Sequence, residues 1–153
     1  MRKIAAAASV FVALLAGAYL IIEASPAARL PWDDVSKARW PEAFRAVEIP
    51  ARDGGIQKGY FRRAEGPAPL IVSLHTWSGD WTQRDALAQK ALDRGWNYLH
   101  PDIRGPNTRP EACLSDLVLD DIDRAIAYGR EAAEVTHIYV VGASAVSYTH
   151  LTL

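Results

Sequence analysis

The hydrophobic positions along this chain change their period several times. Residues 4–22 are uncharged and almost wholly apolar, with no polar face. Residues 46–51 and 56–62 read as short strand-like runs parted by Asp53-Gly54-Gly55, and Asp-Gly between two such runs is a hairpin signal. The breaker Ala64-Glu65-Gly66-Pro67 follows. Leu70-Ile71-Val72-Ser73-Leu74 is then a nearly continuous apolar run, as expected of a strand buried on both faces of a parallel sheet. Residues 81–94 predict a helix, with Ala86, Leu87, Ala91 and Leu92 at helical spacing and Gly95 as its stop. Residues 96–99 form the next strand, closed by Pro101. The best helical pattern covers 114–130. Leu117, Val118, Ile122, Ala125 and Ile126 share one face; Asp116, Asp120, Asp121, Asp123 and Arg124 take the other, expected to be solvated, with Ser115 as N-cap. Residues 135–141 are the third buried strand. Strand and helix thus alternate after residue 68, behind a hairpin, which implies βαβ crossovers and a parallel sheet with helices on both faces.

The first apolar run has its own meaning. Met1-Arg2-Lys3 gives it a positive start, and Ala16-Gly17-Ala18 and Ser25-Pro26-Ala27 offer small-x-small cleavage points. It reads as a secretory signal peptide, and its nineteen residues also suffice to span a bilayer as an uncleaved anchor. Residues 1–27 are therefore expected to be a signal peptide or membrane anchor, and the protein to be exported, periplasmic or extracellular. A membrane is a partner only if residues 4–22 stay attached. Residues 28–44 form a lead-in rich in Pro, Ala, Trp and charge, whose Trp32 and Trp40 argue for packing against a domain.

Composition narrows the classes. The 153 residues amount to one domain at most. Removing Arg2, Lys3 and Glu23, which sum to +1, from the formal net charge of −1 leaves about −2 on the exported part, with no basic patch, so nucleic acid is not expected as a partner. No metal is expected, because the acidic run 116–123 has no His or Glu at ligand spacing. No cofactor is expected either: a dinucleotide fold wants a Gly-rich turn after its first parallel strand, where this chain has His75-Thr76-Trp77-Ser78-Gly79. The single cysteine, Cys113, is either half of a disulfide whose partner lies in other sequence or a buried free thiol.

In an open parallel sheet, ligands sit beyond the carboxyl ends of the strands. Three segments fall there: residues 75–80, residues 100–107, and Gly142-Ala143-Ser144. Each carries Gly and polar groups. The run Tyr139-Val140-Val141 leads straight into Gly142-Ala143-Ser144, the approach to a nucleophile elbow, a strand-to-helix turn that lifts a serine hydroxyl above the sheet. The backbone N–H of Ala145 would face the oxyanion of an acyl-transfer intermediate. An ordinary serine N-cap is the alternative reading of the same residues.

Together the segments 74–81, 96–107 and 140–144 resemble the first half of an α/β-hydrolase domain of the prolyl oligopeptidase type, over residues 45–144. The resemblance implies a three-layer α/β fold, an N-terminal hairpin followed by parallel strands with crossover helices, here incomplete. It implies that Ser144 is the acylated nucleophile and that the loop after the first buried strand gives the second oxyanion N–H, from Thr76 or, preferably, Trp77. His75 would shape that loop. Asp102 and Arg104 would lock the neighbouring one, as an ion pair or through backbone hydrogen bonds, and His100 and His137 would be structural. The triad acid and base of this fold follow the serine in sequence, so they are expected downstream of Ser144. His150 is too near it, six residues on, to return over the serine.

The departure from the pattern is Ala145-Val146, where the elbow asks for glycine two residues after the serine; a β-branched side chain fits poorly there. Residues 145–153 show no helical face and resemble translated adapter read-through, so a non-native tail is expected. The strand 138–141, central in the intact fold, would then have one bare apolar edge. The expected function is a fragment of an exported serine hydrolase acting on a small peptide or ester through an acyl-enzyme, itself inactive. The alternative is a non-catalytic, secreted or membrane-tethered binding module on a hydrolase scaffold.

Overall fold

The computed structural model describes residues 36, 37, 39–106, 108, 110–112 and 115–143. Ser144, Ala145, Cys113, Trp32, His150, the apolar run 4–22 and the tail 145–153 lie outside the described residues.

The elements in chain order are strands β1 (Arg45–Pro50), β2 (Ile56–Arg62) and β3 (Ala68–Ser73), helix α1 (Ala86–Asp93), strand β4 (Asn97–Pro101), a 3₁₀ turn (Pro110–Ala112), helix α2 (Asp116–Ala132) and strand β5 (Val135–Val141). They build one five-stranded mixed sheet in the order β1-β2-β4-β3-β5. β1 and β2 are the hairpin expected at Asp53-Gly54-Gly55; β2 runs antiparallel to β4, and β3 is parallel to β4 and to β5. Gly54 makes the turn possible, with a φ of +84° that side chains with a Cβ rarely adopt.

Period-2 alternation sorts the side chains into two cores. Leu70, Val72 and Leu99 face one side and pack with Ile49, Phe61 and the Val118, Ile122, Ala125 stripe of α2. Ile71 and Tyr98 face the other and pack with Phe44 and with Ala88 and Ala91 of α1. One helix therefore covers each face, and the fold is α/β in three layers, of the kind expected for an incomplete α/β-hydrolase-type sheet. Close approach at two points requires glycine: a Cβ on Gly59 would stand 2.9 Å from His100 O across β4, and one on Gly129 would stand 2.4 Å from Leu70 Cδ2.

The described part of the lead-in packs on the α1 face. Trp40 stacks on Tyr60 at 4.6 Å between centroids and meets Phe44 edge-on at 5.4 Å. Lys37 bridges to Gln83, and Arg84 N–H donates to Ser36 O at 2.8 Å.

Four expectations need correction. Helix α1 begins at Ala86, not at residue 81. Asp80 Oδ1 accepts the Thr82 N–H at 2.7 Å and Asp85 accepts the Leu87 N–H at 2.8 Å as N-cap, so local carboxylates hold the intervening residues in turns. Ser115 does occupy the N-cap position of α2, but its hydroxyl donates back to Glu111 O and makes no capping bond. Strand β5 is not buried on both faces. Among the described residues it pairs only with β3, and Tyr139 and Val141 are 49% and 38% exposed. Finally, the outer face of α2 is not wholly solvated: Asp121 is 2% exposed. No helix among the described residues is long and apolar enough to cross a membrane.

Candidate functional site

Two loops meet over the carboxyl ends of β3 and β4. The chain leaves β3 for a helix on one face and leaves β4 for a helix on the other, so the loops part and a crevice opens between them, the usual ligand position in such sheets. His75 spans it. Its ring is 3% exposed; Nδ1–H donates to Thr76 O at 2.9 Å, and Nε2 accepts the Ile103 N–H from the β4 loop at 3.0 Å. Accepting from a backbone N–H requires the lone pair on Nε2, which fixes the neutral Nδ1–H tautomer. His75 therefore ties the loops together.

The loop after β3 is held by a residue the sequence did not single out. Gln83, 4% exposed, accepts the Thr76 N–H on Oε1 at 2.9 Å, with the Thr76 hydroxyl at 3.3 Å. Gly79 closes the turn by donating to Thr76 O at 2.9 Å, and a Cβ there would stand only 2.1 Å from Gln83 Oε1. With the Thr76 amide committed, the Trp77 N–H, like that of Ser78, meets no acceptor among the described residues; the Trp77 side chain is half-buried. The loop also adjoins the end of β5. Ser73 registers with Val141, and Leu74 N–H donates to Val141 O at 2.8 Å. Gly142 and Ala143, both half-buried, follow immediately.

Asp102 and Arg104 do not pair with each other. Asp102 Oδ1 accepts the Gly105 N–H at 2.7 Å and stands 3.2 Å from His75 Nε2. Arg104 reaches the other way, bidentate to Asp121 (Nε to Oδ2 2.6 Å, Nη2 to Oδ1 2.9 Å) and through Nη1 to Asp53 Oδ2 at 2.6 Å. Its backbone has a φ of +79°, a left-handed conformation costing on the order of 1 kcal/mol or more, which these charge-assisted bonds offset. Hydrogen bonds to Asp53 and Asp121 raise the Arg104 pKa, and its guanidinium holds that of Asp53 below the usual carboxylate range. Burial raises that of Asp121, outweighing the lowering by Arg104. Thus Asp53, read only as a turn residue, and Asp121, read as solvated, together anchor the β4 loop.

His100 is structural, as expected, and sits under the crevice. Nδ1–H donates to Ser73 O at 2.7 Å, and burial pushes its pKa down to about 4, so it is neutral at pH 7. Tyr98 beside it donates to Asp85, with its phenol pKa raised by burial first and by Asp85 second. His137 is exposed on β5.

No family model matches this chain. No curated protein matches it either. Among solved structures it is similar to DcsB, described in complex with its substrate analogue, at 19% identity and TM-score 0.50, over 63% of this chain and 36% of that one. It is also similar to a prolyl endopeptidase at 18% identity and TM-score 0.49, over 66% of this chain and 18% of that one. The chain thus spans about a third and under a fifth of those structures, and the likeness to DcsB is one of fold.

Proposed function

We propose that this chain belongs to an exported serine hydrolase and carries its nucleophile, Ser144, with a small peptide or ester as substrate. The observation that supports it is the juxtaposition of the unengaged Trp77 N–H loop with the end of β5 at Val141, three residues before Ser144. A substrate carbonyl attacked by Ser144 Oγ would develop negative charge, and Trp77 N–H and Ala145 N–H are the donors proposed to receive it. An acyl-enzyme would form with loss of the amine or alcohol, and water would clear it. The described histidines near the crevice do not supply the general base: His75 has both ring nitrogens on backbone groups, and His100 lies buried beneath the sheet end. Base and acid therefore come from elsewhere in the whole protein. Without them Ser144 is a weak nucleophile, and the loss is several orders of magnitude in rate.

The test is labelling of the whole protein with a fluorophosphonate probe. Labelling abolished by Ser144→Ala supports the reading. Equal labelling of the wild type and Ser144→Ala refutes it and leaves the non-catalytic, secreted or membrane-tethered binding module. Export is tested separately, by mapping the mature N-terminus: loss of residues 1–27 supports a signal peptide, and an intact Met1 supports an anchor.

A further inference from the structure

His75 faces three partners with two ring nitrogens, and no single charge state serves all three. Thr76 O, 2.9 Å from Nδ1, needs a proton on that atom. The Ile103 N–H, 3.0 Å from Nε2, needs a lone pair there. Asp102 Oδ1 is 3.2 Å from the same Nε2 and needs a proton on it, because an ionised carboxylate only accepts. Neutral His75, with its proton on Nδ1, serves Thr76 and Ile103 and leaves Asp102 Oδ1 facing a lone pair. Imidazolium carries a proton on both nitrogens. It serves Thr76 and Asp102, and it meets the Ile103 N–H with another N–H. The two arrangements exclude each other at one atom. Both partners of that atom are held in place: Ile103 is buried, and Asp102 Oδ1 already accepts the Gly105 N–H at 2.7 Å.

The other charges around the ring do not compete for Nε2. His100 lies on β4, 6.5 Å away between ring centroids, and is neutral at pH 7. Asp85 stands behind it, 4.0 Å from His100 Nδ1, with its carboxylate on Leu87 N–H and the Tyr98 hydroxyl. Asp80, in the same loop as His75, feels its charge but accepts from Thr82. Lys37 of the lead-in acts on Asp80, and Asp121 of α2 is bound by Arg104. Asp102 is therefore the titratable group that a proton on Nε2 meets.

We propose that His75 is a proton-driven exchange point: neutral, it ties the loop after β4 through the Ile103 N–H; protonated, it donates Nε2–H to Asp102 Oδ1 and releases that N–H. The proton comes from solvent, and one neutral hydrogen bond gives way to one charge-assisted bond. Nδ1–H holds Thr76 O in both states, so the loop that carries Trp77 keeps its place while residues 103–105 loosen over the crevice. The exchange does not rest on the Ser144 reading.

The experiment is ¹⁵N NMR of the full chain between pH 8 and pH 5, with amide hydrogen exchange along the same series. At pH 8 the His75 Nε2 resonance should be that of an unprotonated nitrogen, with a scalar coupling across the hydrogen bond to the Ile103 amide. On titration that coupling should vanish and Nε2 should take the shift of a protonated nitrogen. Ile103 protection should fall roughly tenfold or more at the same midpoint, the size of one lost hydrogen bond. The Gly79 and Leu99 amides should keep their protection. Asp102→Asn, at a partly exposed position, should lower the midpoint by about 1–3 pH units or out of the range, because the partner charge is gone. Ile103 protection that does not follow the His75 midpoint overturns the proposal. So does a midpoint unchanged in Asp102→Asn, or a His75 that stays neutral down to pH 5. Simultaneous loss of protection at Leu99 also overturns it, since that is unfolding of the whole sheet.

Discussion

Gln83 Oε1 accepts the backbone N–H of Thr76 at 2.9 Å, and in doing so decides which amide of the loop after β3 stays available. The sequence left Thr76 and Trp77 as rival oxyanion donors. The clamp removes Thr76 from the choice.

Gln83→Leu should cost about 1–3 kcal/mol of stability, because a buried N–H loses its acceptor. Gly79→Ala attacks the same clamp from the other side, since its Cβ would stand 2.1 Å from Oε1. Urea unfolding of both variants and the pair should give a double-mutant cost well below the sum, as expected for residues sharing one interaction. Simple additivity would mean that the two act separately.

Much of the fold was legible. The hairpin, the alternating strands and helices, and the α2 stripe all follow from period-2 and period-3.6 patterns, which the packed cores enforce. What was not legible depended on pairs distant in sequence. Nothing local marks Asp121 as the partner of Arg104 rather than one more aspartate on a wet helix face, or Asp53 as more than a turn former. Gln83 lay within residues expected to be helical, and only the Asp80 and Asp85 side chains show why the helix starts later. Ser144 as nucleophile remains a proposal, supported by pattern and by the neighbouring loop.

Stability should depend on His100 below neutral pH. In the folded chain its pKa is about 4, against 6.5 for an ordinary histidine. Between those values the unfolded chain binds a proton that the folded chain refuses, so stability is present above about pH 6.5 and is lost as pH falls toward 4. At 1.36 kcal/mol per pH unit the loss is on the order of 3 kcal/mol. Urea unfolding at pH 7.5, 5.5 and 4.5 should show it. His100→Asn, which keeps a donor for Ser73 O, should flatten that dependence; an unchanged slope would assign it to other groups.

The Arg104–Asp121 pair should behave as a buried ion pair. Arg104→Met strands the buried Asp121 carboxylate and should cost about 3–5 kcal/mol. Adding Asp121→Leu should recover most of that loss, because the uncompensated charge is gone. A double variant no better than Arg104→Met would show that the pair's value is geometric, through the left-handed Arg104 backbone.

Trp77→Pro deletes one N–H at a half-buried position, while Trp77→Ala keeps it. In the whole protein, fluorophosphonate labelling should slow about 10²–10³-fold with proline and far less with alanine. Equal effects of the two substitutions would transfer the role from the amide to the indole.

The most direct measurement is peptide mapping of the fluorophosphonate adduct on the whole protein. The adduct should sit on the peptide carrying Ser144 and vanish in Ser144→Ala. An adduct on a different serine, or undiminished labelling in that variant, would contradict the account.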